Sequence, residues 1–335
     1  MSLSTPLRAA VIGLGVGARH LAVYDSDPRC EVVALCDIDE RRLHDAASTR
    51  PGCRTTVSAA DVLSDPNIDV VSIASYDTDH CEQVVAAIET GKHVFVEKPL
   101  CLYDDEFRRI DGALRAHPEV QLSSNLVLRQ APQFVCVKQR IAAGEFGRLF
   151  YLEGDYNYGR IQKLTEGWRG QIPFYSVTHG GAIHMIDLLL WLSGGRVRDV
   201  VAAGNQIATA GTRFRYPDMV TALLRFEDGM TAKVSANFGY VGPHSHGLAV
   251  YGTQASFIHN PQGGALYRSR DVDAPPEIMR GTFDEDGKSE IQRAFVTQLL
   301  DGTPGLVSAA DVLNVMTVSL AFERSLHTGR WEHVC

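Results

Sequence analysis

The chain has 335 residues, too many for one ordinary hydrophobic core, so two domains are expected. Apolar residues make up 45% and charged residues 21%, the balance of a folded globular protein and not of a disordered one. The net charge is −8, which supplies no broad basic field for nucleic acid or anionic lipid, so neither is expected as a partner.

In chain order, Arg8 to Leu14 reads as a buried strand, overlapping a glycine cluster at Gly13, Gly15 and Gly17. Ala18 to Tyr24 then opens a helix. Glu31 to Cys36 is a second strand ending at Asp37, and Asp39 to Ala47 is helical in composition. Asp69 to Ala74 reads as a third strand, and Cys81 to Thr90 as a helix stopped by Gly91. His93 to Glu97 reads as a fourth strand, ended by Lys98-Pro99. Leu102 to His117 is a charged amphipathic helix and Val120 to Ser123 a short strand. Strands alternating with helices at this spacing predict βαβ units and a doubly wound parallel sheet. The texture changes after about Ser124, so the domains are expected to be 1–124 and 125–335. Gln133 to Ala143 is helical, Arg148 to Tyr158 a Tyr-rich strand, and Gly159 to Val177 a turn-rich stretch. An almost wholly apolar helix follows from His179 to Leu192, closed by Gly194-Gly195. From Val197 the pattern becomes antiparallel: Met219 to Phe226 and Met230 to Phe238 flank Asp228-Gly229, a strong hairpin signal. Leu248 to Tyr251 and Ser256 to His259 add strands, and Ala309 to Leu326 is a closing amphipathic helix.

No run reaches the ~20 apolar residues of a membrane span. Met1 to Leu7 lacks the charged-then-apolar pattern of a secretory signal. The seven cysteines are scattered, with no Cys-x-x-Cys pair. That argues against a disulfide framework or a zinc ribbon and for reduced thiols in a cytoplasmic protein.

The segment Gly13-Leu-Gly15-Val-Gly17-Ala18 has small residues at the three positions of a dinucleotide fingerprint. Gly13 permits the tight turn, Gly15 lets the backbone approach a pyrophosphate, and Ala18 allows close packing of helix on strand. Val16 and Gly17 complete the loop, whose N–H groups would face the phosphates. Asp37, 24 positions after Gly13 at the end of the second strand, stands where an adenosine ribose presents its hydroxyls. Asp37 and Asp39 would repel a 2′-phosphate, and Arg41 and Arg42 are expected on the solvated helix face, so NAD is favoured over NADP.

Together with Glu97-Lys98-Pro99 and His184-x-x-Asp187, these motifs resemble the Gfo/Idh/MocA oxidoreductases over nearly the whole chain. Gly91-Lys92-His93-Val94 and Gly144-Glu-Phe-Gly147 extend the match. The resemblance implies a C-terminal α/β domain with a large, open, mostly antiparallel sheet that binds substrate and forms the oligomer, a homodimer or homotetramer. It also implies a nicotinamide cofactor, a sugar, inositol or related polyol as substrate, and hydride transfer at a CH–OH group. Ser75, Tyr76, His80, Glu97 and Lys98 are then candidate cofactor contacts beside Gly13, Gly15, Val16, Gly17 and Asp37.

Lys98 follows a strand end, where α/β folds place their ligand crevice. Its ammonium could stabilise a developing alkoxide, or could instead pair with Glu97 or another acid. His184 and Asp187 share a face of the apolar helix and need partners there. Each could cap a neighbouring loop, and the resemblance makes His184 the preferred acid/base. Tyr156, Tyr158, Trp168, Arg169 and Asp187 are candidate substrate contacts. The chain departs from the family in carrying Gly180 where an Asp usually stands four residues before the histidine. Either His179, in a loop loosened by Gly180 and Gly181 and turned into the same cleft, or a residue from elsewhere substitutes, or the chemistry differs. No metal is expected, because the spacing of His179 and His184 does not put both imidazoles on one helix face. His244-x-His246 is expected in a surface or subunit-contact loop. The missing Asp and the family's variety leave two other readings: an NAD-dependent glycoside hydrolase working through transient oxidation, and an idle NAD-binding sensor.

Overall fold

The structure, a computed structural model, describes residues 6–279 and 289–334. The chain divides into two compact units, Met1–Val127 with Glu285–Met316, and Leu128–Asp284 with Thr317–Cys335. This differs from a single cut at residue 124 in that a late segment returns to the first unit.

Among the described residues, the first unit holds a six-stranded parallel sheet. Its strands are β1 (Leu7–Ile12), β2 (Cys30–Cys36), β3 (Arg54–Thr56), β4 (Val70–Ile73), β5 (His93–Val96) and β6 (Leu122–Ser124). The spatial order is β3-β2-β1-β4-β5-β6. Helices α1 (Ala18–Ser26), α2 (Glu40–Ala47), α3 (Ala59–Leu63), α4 (His80–Glu89) and α5 (Asp104–Ala116) connect them. Covered strands read as continuous apolar runs, and β4 is buried at every position. Strand β3 carries Arg-Thr-Thr and no apolar run, as short edge strands often do, so the strands expected as third and fourth are fourth and fifth. The order reverses between β1 and β4, and it is outside such a switch point that doubly wound sheets hold their ligands.

Strands of the second unit are β7 (Leu149–Asn157), β8 (Val197–Asn205), β9 (Met219–Phe226), β10 (Thr231–Asn237), β11 (Ser245–Gly252), β12 (Ser256–Asn260), β13 (Gly263–Tyr267), β14 (Glu277–Met279) and β15 (Glu332–His333). They form one sheet, in the order β14-β13-β12-β11-β7-β10-β9-β8-β15. Among the described residues, every pairing is antiparallel except β7 with β10. The Asp228-Gly229 turn joins β9 to β10, with Gly229 at φ +90. Helices α6 (Pro132–Ala142), α7 (Gln162–Thr165) and α8 (Ile183–Ser193) follow in chain order, then α9 (Glu290–Asp301) of the first unit and α10 (Ala309–Thr328).

Helix α8 lies on the sheet where Gly154 of β7 makes room: a side chain there would come 3.0 Å from Met185 Cβ. Ile183, Met185, Ile186, Leu188, Leu189 and Leu192 are all buried. Each contributes ~1.5–3 kcal/mol, so the helix is held by its whole circumference and not by a stripe. Gly194 ends it in the left-handed conformation, φ +66.

Candidate functional site

In the first unit the glycine loop follows β1. Gly13 takes φ +85, and a Cβ on it would sit 2.3 Å from the Ala74 carbonyl oxygen after β4. A Cβ on Gly17 would meet the Gly13 carbonyl oxygen at 2.0 Å. These two glycines are demanded by the protein itself. Gly15 is different. Its Cβ would meet only Arg42, at an ordinary 3.6 Å, and both Gly15 and Val16 are exposed. Among the described residues nothing requires glycine there, so the bare backbone suits a group approaching from outside. Helix α1 starts at this point without a side-chain cap and without acidic residues in its first turn, which leaves its N–H groups to an anion. The loop therefore fits a dinucleotide pyrophosphate.

Asp37 reaches this loop. Its Oδ2 accepts from the Leu14 N–H at 2.6 Å and its Oδ1 from the Asp39 N–H at 2.8 Å. Each carboxylate oxygen keeps a second lone pair for a ribose hydroxyl. Arg42 is exposed on the solvated face of α2, as expected, and from there it also reaches the loop. Its guanidinium lies 3.9 Å from Asp37 and 3.5 Å from Asp39, drawn over the loop by the two carboxylates.

After β4, Ser75 donates to Gln83 at 2.8 Å, and Tyr76 is exposed ahead of a 3-10 turn. His80 is fully buried at the start of α4, and its Nδ1 donates to the Pro99 carbonyl at 2.6 Å. That bond makes His80 the anchor of the Glu97-Lys98-Pro99 turn, whose Lys98–Pro99 peptide is cis. Glu97 bonds His20 at 3.3 Å and Asn125 at 2.7 Å. Burial alone would raise its carboxyl pKa, but His20, Asn125 and the charge of Lys98 together bring it below its ordinary value. Glu97 is therefore a carboxylate beside Lys98 that accepts from Asn125 and bonds His20. Sequence reasoning missed His20 and Asn125, since neither sits in a motif.

In the second unit, His184 stacks on Tyr156, ring centroids 5.7 Å apart and planes at 17°. Tyr156 also contacts Tyr158 at 5.9 Å and Phe238 at 5.9 Å. Burial, then the neighbouring phenols of Tyr158 and Tyr175, push Tyr156 well above its ordinary pKa, so it is neutral. His244 and His246 contact the same Tyr156 ring at 5.0 and 5.3 Å. The pair expected as a surface or subunit-contact loop thus packs around the candidate site. The register of β11 against β7 brings them there, setting His246 opposite Tyr156. Trp168 and Arg169 lie on a half-buried 3-10 turn, the guanidinium 4.7 Å above the indole.

Two further expectations are corrected. Residues Thr178–Ala182 form a π-helical turn running into α8, so His179 is not in a loop. It is buried, and its Nδ1 meets Ser319 Oγ of α10 at 2.8 Å, whereas His184 stacks on Tyr156. Gly180 and Gly181 serve close approach and not looseness. A Cβ at 180 would strike the Tyr175 hydroxyl at 2.1 Å, and one at 181 would strike Tyr156 and Phe238 at 2.7 and 2.8 Å. Asp187, expected to touch substrate, is fully buried and chelates Arg129 through bonds of 2.6, 3.0 and 3.1 Å. A carboxylate with no access to solvent, gripped by a guanidinium, is a structural counter-ion.

Residues 7–125 match the oxidoreductase family, NAD-binding Rossmann fold, and residues 134–258 match the GFO/IDH/MocA C-terminal domain. Inositol 2-dehydrogenase 3 of Saccharopolyspora erythraea is 31% identical, over 97% of this chain and 94% of its own length. The scyllo-inositol 2-dehydrogenase (NAD(+)) of Bacillus subtilis is 29% identical, over 96% and 95%. A solved structure of levoglucosan dehydrogenase with NADH and L-sorbose superposes with a TM-score of 0.87 at 21% identity, covering 98% of this chain and 99% of that one, a likeness of fold. With both halves of the family's architecture present, the chain belongs to the GFO/IDH/MocA family of NAD-binding oxidoreductases.

Proposed function

We propose that this protein is a dehydrogenase that oxidises a CH–OH group of an inositol, sugar or related polyol. The observation that carries the reading is the glycine loop at the β1/β4 switch point, with Gly15 bare, Asp37 beside it and Lys98 at the end of β5. NAD bound there supplies the hydride acceptor. Gly13 to Gly17 and the start of α1 hold its pyrophosphate, and Asp37 takes a ribose hydroxyl. Lys98, beside ionised Glu97, stabilises the alkoxide that develops as the substrate hydroxyl loses its proton. His184 takes that proton, and the Tyr156 ring fixes its plane. Two curated relatives are named inositol dehydrogenases and a fold neighbour acts on levoglucosan, which supports a ring polyol as the substrate class. We also propose that copies of the chain pair through the outer face of the nine-stranded sheet.

The test is NADH formation at 340 nm with a panel of inositols, aldoses and 1,6-anhydro sugars. Sustained NADH production from at least one is expected. Release of a glycosidic leaving group without net NADH, or tight NADH binding without turnover of any member, would replace this reading with the hydrolase or the sensor.

A further inference from the structure

We propose that Tyr175 is a specificity-determining residue whose hydroxyl recognises a second hydroxyl of the polyol, next to the one His184 deprotonates. The inference rests on the reading of His184 as proton acceptor. Residue 180 lies four positions before His184 along a continuous helical path, so the two share a face. The side-chain space at 180 is taken: an ideal Cβ would lie 2.1 Å from the Tyr175 hydroxyl and 2.8 Å from its Cζ. The phenol oxygen therefore rests against the helix where a side chain of residue 180 would begin, one turn before the imidazole.

Three observations favour recognition over mere filling of space. First, the hydroxyl is held by a charge: Arg169 Nε donates to it at 3.0 Å. The guanidinium itself is braced over Trp168 and lies 5.6 Å from the Tyr175 ring centroid. A filler would need no cation, and a Phe would pack as well against Phe214 and Phe238, which meet the ring edge-on at 6.3 and 6.4 Å. Second, Phe238 also touches Tyr156, and Tyr156 stacks on His184, so hydroxyl and imidazole are set by one aromatic cluster. Third, the helix here is a π turn, a distortion frequent at functional sites, and glycine at 180 is what admits the phenol. A site built to hydrogen-bond a substrate hydroxyl also discriminates sharply against analogues lacking it.

The experiment compares wild type, Tyr175→Phe, Tyr175→Ala, Tyr175→Ala/Gly180→Ser and His184→Ala in NADH formation, with calorimetric binding of each panel polyol to the NADH complex. For Tyr175→Phe the KM and Kd of the preferred polyol should rise about tenfold or more, with kcat changed less than KM. Discrimination between polyols differing in one hydroxyl should collapse in the same variant. The serine of the double variant delivers a hydroxyl from the helix into the emptied space, so it should recover affinity relative to Tyr175→Ala. Unchanged KM, Kd and selectivity in Tyr175→Phe would overturn the role of Tyr175 even if His184→Ala is inactive. Full turnover in His184→Ala would instead overturn the proton-acceptor reading, while a KM effect in Tyr175→Phe would still support recognition by the phenol.

Discussion

At Lys98, charge and position reinforce each other. The residue closes β5, its neighbour Glu97 is ionised through His20 and Asn125, and the turn is pinned by His80 to the Pro99 carbonyl. Lys98→Ala should therefore lower kcat by ~10²-fold or more, the size expected for a positioned acid/base or electrostatic group. Its melting temperature should stay near that of the wild type, as differential scanning fluorimetry will tell. Near-normal turnover would make the lysine merely structural. Asp187 is the opposite case. Removing one partner of a buried ion pair strands the other charge, so Asp187→Ala should cost ~3–5 kcal/mol of stability. Urea unfolding measures that loss. A stable Asp187→Ala protein with lost activity would return this carboxylate to the substrate site. The motif made both residues visible in the sequence but could not separate their roles, because only burial and the approach of Arg129 do so.

At the scale of elements, the loop between β1 and α1 divides its glycines into two kinds. Gly13→Ala puts a Cβ at φ +85 and 2.3 Å from a carbonyl oxygen, so both folding and NADH binding should suffer. Gly15→Ala meets nothing among the described residues closer than Arg42, so it should unfold at the wild-type temperature yet bind NADH about tenfold or more weakly. Tryptophan-to-nicotinamide energy transfer together with melting curves would separate the two, and equal NADH affinity in Gly15→Ala would remove the pyrophosphate from that spot. Strand β5 carries a pH-sensitive tie of its own. The Gln121 N–H donates to His93 Nδ1, which must be unprotonated, and burial lowers the His93 pKa below its ordinary 6.5. A base depressed in the fold stabilises fully above its unfolded pKa and loses that contribution as pH falls from 6.5 through the folded value. His93→Gln should flatten the fall in melting temperature over that acid window, and an identical slope in both proteins would show the tie to be inert. These elements were largely legible beforehand, because buried parallel strands are continuous apolar runs and an Asp-Gly hairpin announces itself. Strand β3 was not, having no apolar residue, and α9 was hidden although Ile291, Phe295 and Val296 form a buried stripe capped by Gly302. The π turn was missed because Gly180-Gly181 reads as loosening, whereas the two glycines admit three aromatic rings, Tyr175 from just before the turn and Tyr156 and Phe238 from distant strands and loops.

For the molecule as a whole, the nine-stranded sheet poses a question of what covers its second face. Register places Leu223, Lys233, Glu153, Ala249 and Ile258 in one row across β9, β10, β7, β11 and β12. These residues alternate with the buried row of Leu224, Ala232, Leu152, Val250 and Phe257, so they point away from α8. The centre of that outer row is ionic, with Lys233 3.2 Å from Glu153 and 3.0 Å from Asp155. Its flanks are apolar and exposed: Leu223 is 49% accessible, Ile258 38%, and Tyr267 in the neighbouring row 39%. Tyr151 and Tyr251 stack beside them at 5.8 Å. A central charge network with apolar flanks is self-complementary under a two-fold axis, where each flank meets its counterpart and the charges meet in register. Antiparallel sheets tolerate one solvated face, so exposure by itself does not demand a partner. Lys233 and its two acids would be an ordinary solvated network in a monomer, and the apolar flanks would then be scattered surface residues of no consequence. Multi-angle light scattering on the purified protein decides between these. A mass of two or four chains is expected. Leu223→Arg/Ile258→Glu should lower that mass toward one chain while far-UV circular dichroism is unchanged, because neither side chain packs under α8. A wild-type protein that elutes as one chain, or an assembly that survives both charges, would place the contact elsewhere and leave this face to solvent.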